Sequence, residues 1–216
     1  MSRTLQEAAA EAAGCTKCPL AETRTQVVYG VGDPHADLVF IGEGPGFHED
    51  KQGEPFVGAA GQLLNRMLGQ IGYQREDAYI ANIVKCRPPG NRDPRPEEIE
   101  ACTPWLTEQI ALIDPRIIVT LGNFATRFIL DTKASISRVR GQRFEWSGRT
   151  VIPTFHPAAI LHGGGERSSA CKGLQADFAE VKAALDEPVV VPEAEPVARA
   201  SEADPDGSDV EQLGLF

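Results

Sequence analysis

The sequence has no run of eighteen apolar residues, so it offers no membrane-spanning helix. Its first fourteen residues, MSRTLQEAAAEAAG, lack the apolar stretch of a secretory signal and read instead as a short helix. Those absences place the chain in the cytoplasm, where thiols stay reduced, and five cysteines in that setting argue against a disulfide framework. Aromatic residues are scarce at 6%, yet the 42% hydrophobic content is ordinary for a globular chain of 216 residues. Basic charge is also short, with a net charge of −10. The deficit is uneven. Residues 187–216 hold eight acidic residues and one basic one, which leaves only −3 on residues 1–186. The body can therefore still present a basic face to a polyanion.

The division of charge suggests two regions. Residues 1–186 read as one folded domain. Residues 187–211 are rich in Pro, Ala, Glu and Asp and contain no aromatic residue, a composition that cannot offset its ordering entropy. The last five residues, Gln212, Leu213, Gly214, Leu215 and Phe216, turn apolar again at the end of that acidic tether.

Within the domain, strand and helix signals alternate. Short apolar runs at 37–42, 78–84, 116–122 and 150–155 read as buried strands. Helical spacing is found at 61–71, 97–112 (with Pro96 in its first turn), 123–130 and 170–185. This order predicts an α/β fold with a parallel sheet covered on both faces. Ligands of such sheets lie beyond the carboxyl ends of the strands. The unusual clusters fall there: GEGPG (42–46) after the first strand, KCRPPGNR (85–92) after the second, HPAAI (156–160) after the fourth.

Cys15 and Cys18 form a C-x2-C pair, and Cys86 and Cys102 follow 67 residues later as C-x15-C. Two such pairs brought together make a four-thiolate site, suited to zinc or to an iron–sulfur cluster, and spacing does not choose between them. Four buried structural cysteines would be the plain alternative, but Cys15 and Cys18 sit in polar sequence. Cys171, in the last helix, is left outside the set. The GEGPG loop fits neither G-x-G-x-x-G nor a phosphate loop ending in G-K-[ST], so nucleotide binding is weakly supported. Phe56, between Pro55 and Val57-Gly58, reads as a core aromatic or a base-stacking face. Asn82, inside an apolar strand, needs buried partners, and its paired donor and acceptor match a pyrimidine edge. His156 is ambiguous when taken alone.

Taken together, these motifs resemble the family 4 uracil-DNA glycosylases, the iron–sulfur branch of their superfamily. The resemblance runs from Cys15 to Leu185. It comprises the C-x2-C lead, GEGPG, the ED-x2-GEPFVG-x2-G stretch of 49–61, NIVKCRPPGNR, Cys102 and HPAAI. It implies a [4Fe-4S] cluster with a structural role on Cys15, Cys18, Cys86 and Cys102. It also implies a three-layer α/β/α fold around a four-stranded parallel sheet. The activity implied is base-excision repair: uracil is flipped out of single- or double-stranded DNA and its N-glycosidic bond is hydrolysed. A non-catalytic iron–sulfur DNA-binding relative is the alternative, against which the joint presence of Glu43, Phe56, Asn82 and His156 argues.

Carried over by residue, Phe56 is expected to stack on uracil, Asn82 to read N3 and O4, and His156 to donate to O2. Backbone amides of Gly42, Glu43 and Gly44 are expected to contact the base. Family 1 enzymes place an Asp where this chain has Gly44, so Glu43 is the favoured residue to activate water, with Glu49 as the other candidate. Glu49 could instead fill the space of a thymine methyl, where family 1 enzymes use a Tyr and this chain has Gly46. Lys85, Arg87, Asn91 and Arg92 are expected to contact phosphates, and Ile160 with Leu161 to form the wedge that replaces the flipped base. A covalent branch of the family uses a His in a loop after the second strand; none stands in KCRPPGNRDP, which implies hydrolytic turnover. The terminal QLGLF resembles a bacterial sliding-clamp-binding motif, with Gln212, Leu213, Leu215 and Phe216 as anchors. The resulting expectation is a monomer working at the nucleoid.

Overall fold

The computed structural model describes residues 3–188. The chain opens with α1 (Leu5–Ala13), whose start is set by a capping box: Thr4 Oγ1 accepts from Glu7 N at 3.2 Å, and Thr4 N donates to the Glu7 carboxylate at 2.8 Å. There follow β1 (Val31–Gly32), β2 (Leu38–Gly42), α2 (Phe47–Gln52), α3 (Ala59–Gln70), β3 (Tyr79–Asn82), α4 (Pro96–Ile113) and β4 (Ile117–Leu121). The second half comprises α5 (Gly122–Leu130), α6 (Ile136–Val139), β5 (Phe144–Trp146), β6 (Arg149–Thr154), α7 (Pro157–His162) and α8 (Ser169–Asp186). No helix among the described residues is long and apolar enough to cross a membrane.

The sheet order is β1-β3-β2-β4-β6-β5. The four inner strands are mutually parallel and correspond to the four strands read from the sequence. The sheet is nevertheless six-stranded and mixed, because β1 and β5 pair antiparallel on its two edges. Both edge strands are short and only half-buried, so they lack the apolar runs that mark the inner four.

Strand side chains alternate between faces, so each buried strand feeds two cores. Val39, Ile41, Ala81, Ile118 and Val151 join one core with residues of α1, α4 and α5. Leu38, Phe40, Ile80, Val119 and Ile152 join the other with α3, α7 and α8, where Phe40 stacks on Phe178 at 5.7 Å between ring centroids. Each large side chain taken fully from water contributes about 1.5–3 kcal/mol. This burial on both faces explains why the strands read as continuous apolar runs, and it leaves only the carboxyl ends of the sheet for polar function.

Candidate active site and four-cysteine cavity

A cleft of about 420 Å³ opens at the carboxyl ends of β2, β3 and β6, within the range of small-molecule sites. Glu43, Gly44, Gly46, Glu49, Phe56, Asn82, Asn91, Arg92 and His156 all line it, so residues 113 positions apart in sequence meet here.

Gly42 and Asn82 are register partners at the ends of β2 and β3. A Cβ on Gly42 would lie 2.4 Å from Asn82 Oδ1 and 2.8 Å from the Phe56 ring. Glycine is therefore what lets an amide and an aromatic face close on the same strand end. Asn82 is 2% exposed, and its Oδ1 is buried with no hydrogen-bond partner. An orphaned buried acceptor is costly, about 1–3 kcal/mol, and a ligand N–H in the cleft would satisfy it.

Phe56 is buried, with backbone in the left-handed region at φ 54°. For an aromatic residue that conformation costs on the order of 1–3 kcal/mol and needs support. Support comes from Arg75, which donates to Pro55 O at 2.5 Å and to Phe56 O at 3.3 Å. Gly61 supplies the clearance, since a Cβ there would fall 1.6 Å from Phe56 O. Glu49 holds the same loop, with Oε1 accepting from Val57 N at 3.0 Å and Gly58 N at 3.2 Å.

His156 caps α7 with its own ring: Nδ1 accepts from Ala158 N at 3.1 Å. The proton of the neutral ring is thereby assigned to Nε2, which makes that nitrogen a donor. Burial holds the His156 pKa down to about 4, against a smaller opposing effect of Glu49. The imidazole is thus neutral near pH 7 and stacks beside Phe56, 5.5 Å between centroids. Gly122, at φ 87°, lets the chain after β4 pass under it; a Cβ there would meet His156 Cβ at 3.1 Å. Glu43 is raised to about 7, by burial first and by the Asp93 charge second. A carboxyl poised at that pKa can accept a proton near neutrality.

The expected DNA contacts divide. Asn91 is exposed on the rim, and its Oδ1 accepts from Arg87 Nε at 2.7 Å. Arg92 faces the cleft while its guanidinium makes a bidentate pair with buried Glu98 at 2.6 and 2.8 Å. Lys85 does not reach the surface. It is 1% exposed, and its Nζ donates to Asn82 O at 2.7 Å and to Gln109 Oε1. The apolar run of β3 continues inward past Asn82, so Lys85 supports the backbone of the site instead of binding phosphate. Ile160 is likewise no wedge: it is 1% exposed because α7 turns that side chain into the core. Leu161 is half-buried against the same core. Gln212, Leu213, Leu215 and Phe216 lie outside the described residues.

On the opposite face of the sheet, Cys15, Cys18, Cys86 and Cys102 line one small cavity with Arg24, Lys85 and Trp105. α1 packs on α4 and brings the first two thiols to the others. Three sulfurs already accept N–H donors: Cys86 from Arg24 Nη1 at 3.3 Å, Cys102 from Lys85 N at 3.2 Å, Cys15 from Trp105 Nε1 at 3.4 Å. Yet no group of three or more His, Cys, Asp or Glu among the described residues is placed to hold a single metal ion. The four thiols line one cavity, with N–H groups aimed at three of the sulfurs, a donor set whose chemistry fits an all-thiolate iron–sulfur cluster.

Comparison with known proteins agrees with this geometry. The family model described as the uracil DNA glycosylase superfamily matches residues 29–179. The chain belongs to that superfamily, in its type-4 branch. It is 46% identical over 186 residues to the type-4 uracil-DNA glycosylase of Archaeoglobus fulgidus, covering 82% of this chain and 92% of the relative. It is 54% identical over 149 residues to that of Thermotoga maritima, covering 68% and 78%. A type-5 uracil-DNA glycosylase from Thermus thermophilus is more distant, 33% identical over 118 residues, with 48% and 53% covered. Sequence reasoning missed Gly122, Arg75 and Asp93, and it held Gly61 only as the last residue of the 49–61 motif, with no role. A glycine directly after a strand was the available signal for Gly122; Arg75 and Asp93 act through loop packing that no local motif announces.

Proposed function

We propose that this type-4 glycosylase flips uracil out of DNA and hydrolyses its N-glycosidic bond, leaving an abasic site for base-excision repair. The observation that carries this reading is the orphaned Oδ1 of Asn82 at the closed end of a cleft walled by Phe56 and His156. Uracil stacked on Phe56 would donate N3–H to Asn82 Oδ1 and accept at O4 from Nδ2. Cytosine offers an acceptor at N3 and a donor at N4, so the same amide orientation repels it. Extrusion is cheapest where uracil is mispaired or the strand is single.

Bond breakage leaves a cationic sugar and a uracil anion. His156 Nε2–H, neutral and preorganised, donates to O2 as charge develops there, a contribution typically of about 3–4 kcal/mol. Glu43 takes the proton of the attacking water, while Glu49 fixes the Phe56 loop through Val57 N and Gly58 N. Cys15, Cys18, Cys86 and Cys102 would hold a [4Fe-4S] cluster that ties α1, the loop after β3 and α4 together; it supplies no step of the hydrolysis.

The decisive experiment is excision from uracil-containing single- and double-stranded oligonucleotides by cluster-loaded protein. Free uracil and an abasic product are expected from at least one, and their absence from both refutes the proposal. For the C-terminal QLGLF we propose sliding-clamp binding on an acidic tether, which would raise the local concentration at DNA. Deleting residues 212–216 should abolish clamp pull-down and leave excision on short DNA unchanged; pull-down that survives the deletion refutes it.

A further inference from the structure

Phe47 is the one large apolar side chain among the described residues that stands in solvent, at 44% exposure. It opens α2 directly after Gly46, which lines the cleft. Two cations lie over its ring: Lys51 Nζ at 4.6 Å and the Arg87 guanidinium carbon at 5.1 Å from the centroid. Arg87 arrives from the loop after β3 and is held by Asn91, itself a cleft residue. Ring, guanidinium and amide therefore form one shelf that runs from the mouth of the cleft outward. His48 meets the ring edge-on at 5.4 Å and does not stack on it.

Leaving an aromatic ring in water forgoes burial that the core obtains elsewhere. A solvent-facing ring carrying two cations has the composition of a base-stacking platform: a base takes the place of one cation over the ring, and that cation moves to an adjoining phosphate. Flipping one base also strips its neighbour of a stacking face. We propose that Phe47, with Arg87 and Lys51, stacks on the base of the nucleotide next to the flipped uridine. The proposal rests on the uracil-excision reading and assigns Phe47 a different base from Phe56, which takes the uracil itself. Stacking of this kind is tolerant of sequence, so the platform serves any neighbouring base.

The test uses full-length protein and single-stranded oligonucleotides carrying 2′-fluoro-deoxyuridine, whose fluorine destabilises the cationic sugar and blocks cleavage. A 2-aminopurine is placed immediately 5′ or 3′ to it. Wild-type protein should quench the 2-aminopurine on one side. Phe47→Ala should lose that quenching and weaken binding about fivefold or more, while Phe47→Trp keeps both. Equal quenching, and affinity within about twofold, for Phe47→Ala and wild type would overturn the proposal. Wild-type protein that fails to excise uracil refutes the functional reading instead, so the two failures are separable.

Discussion

Glu43→Gln tests the chemistry most directly, because Glu43 is the carboxyl in the cleft whose ionisation falls near neutral pH. Burial and the Asp93 charge raise it from 4.5 to about 7, whereas His156, at about 4, stays neutral above that. If the Glu43 anion accepts the water proton, the rate should climb about tenfold per pH unit below pH 7 and level off above it. Glu43→Gln should flatten that limb and lower the plateau by about 10²–10⁴. Asp93→Asn removes the neighbouring charge and should move the limb to lower pH; because Asp93 is exposed, added salt should do part of the same in wild type. The raised pKa is also a stability cost. Below 4.5 both folded and unfolded carboxyls are protonated, so there is no difference. As pH rises to about 7 the unfolded carboxyl ionises first, and the penalty grows to a constant value above that, on the order of 1–2 kcal/mol once solvent screening of this half-buried group is counted. Glu43→Gln should therefore be more stable than wild type at pH 8 and equal to it at pH 4. Single-turnover excision between about pH 5 and 9 and denaturant unfolding at the two pH values measure both effects. A Glu43→Gln enzyme that keeps the wild-type rate and limb would refute the reasoning and move the base to Glu49.

Four further outcomes are expected. His156→Ala should slow single-turnover excision by about 10²–10³ while the Kd for DNA changes little, since the donor acts on charge that develops in the transition state. Asn82→Asp replaces the Nδ2 donor by a second acceptor and should lower kcat/KM for uracil by roughly 10–100-fold; an unchanged rate would show that Asn82 does not read the base. Gly61→Ala drives a Cβ to 1.6 Å from Phe56 O. It should cost about 1–3 kcal/mol in denaturant unfolding and raise KM as the stacking loop shifts. Stripping the proposed cluster from the four cysteines should lower the Tm in calorimetry together with loss of absorbance near 400 nm, because the segment that follows α1 would lose its tie to α4.

Much of this protein is local in sequence. Strands buried on both faces must be continuous apolar runs, so the inner four were visible, and glycine, Asn and His at their ends marked the site. The C-x2-C pair was visible for the same reason: a short motif keeps its meaning wherever it folds. What adjoining residues do not encode is direction and depth. Lys85 is three residues past Asn82 and cationic, yet packing against Gln109 on α4 draws it inside. Ile160 reads as a wedge beside Leu161, but the angle of α7 against α3 turns it into the core. The edge strands β1 and β5 are too short to show a period and exist only because an inner strand offers a free edge. Residue type at the strand ends fixed the chemistry available to this protein. Only the tertiary packing decided which side chains face the cleft, because burial and pKa depend on neighbours supplied by distant segments.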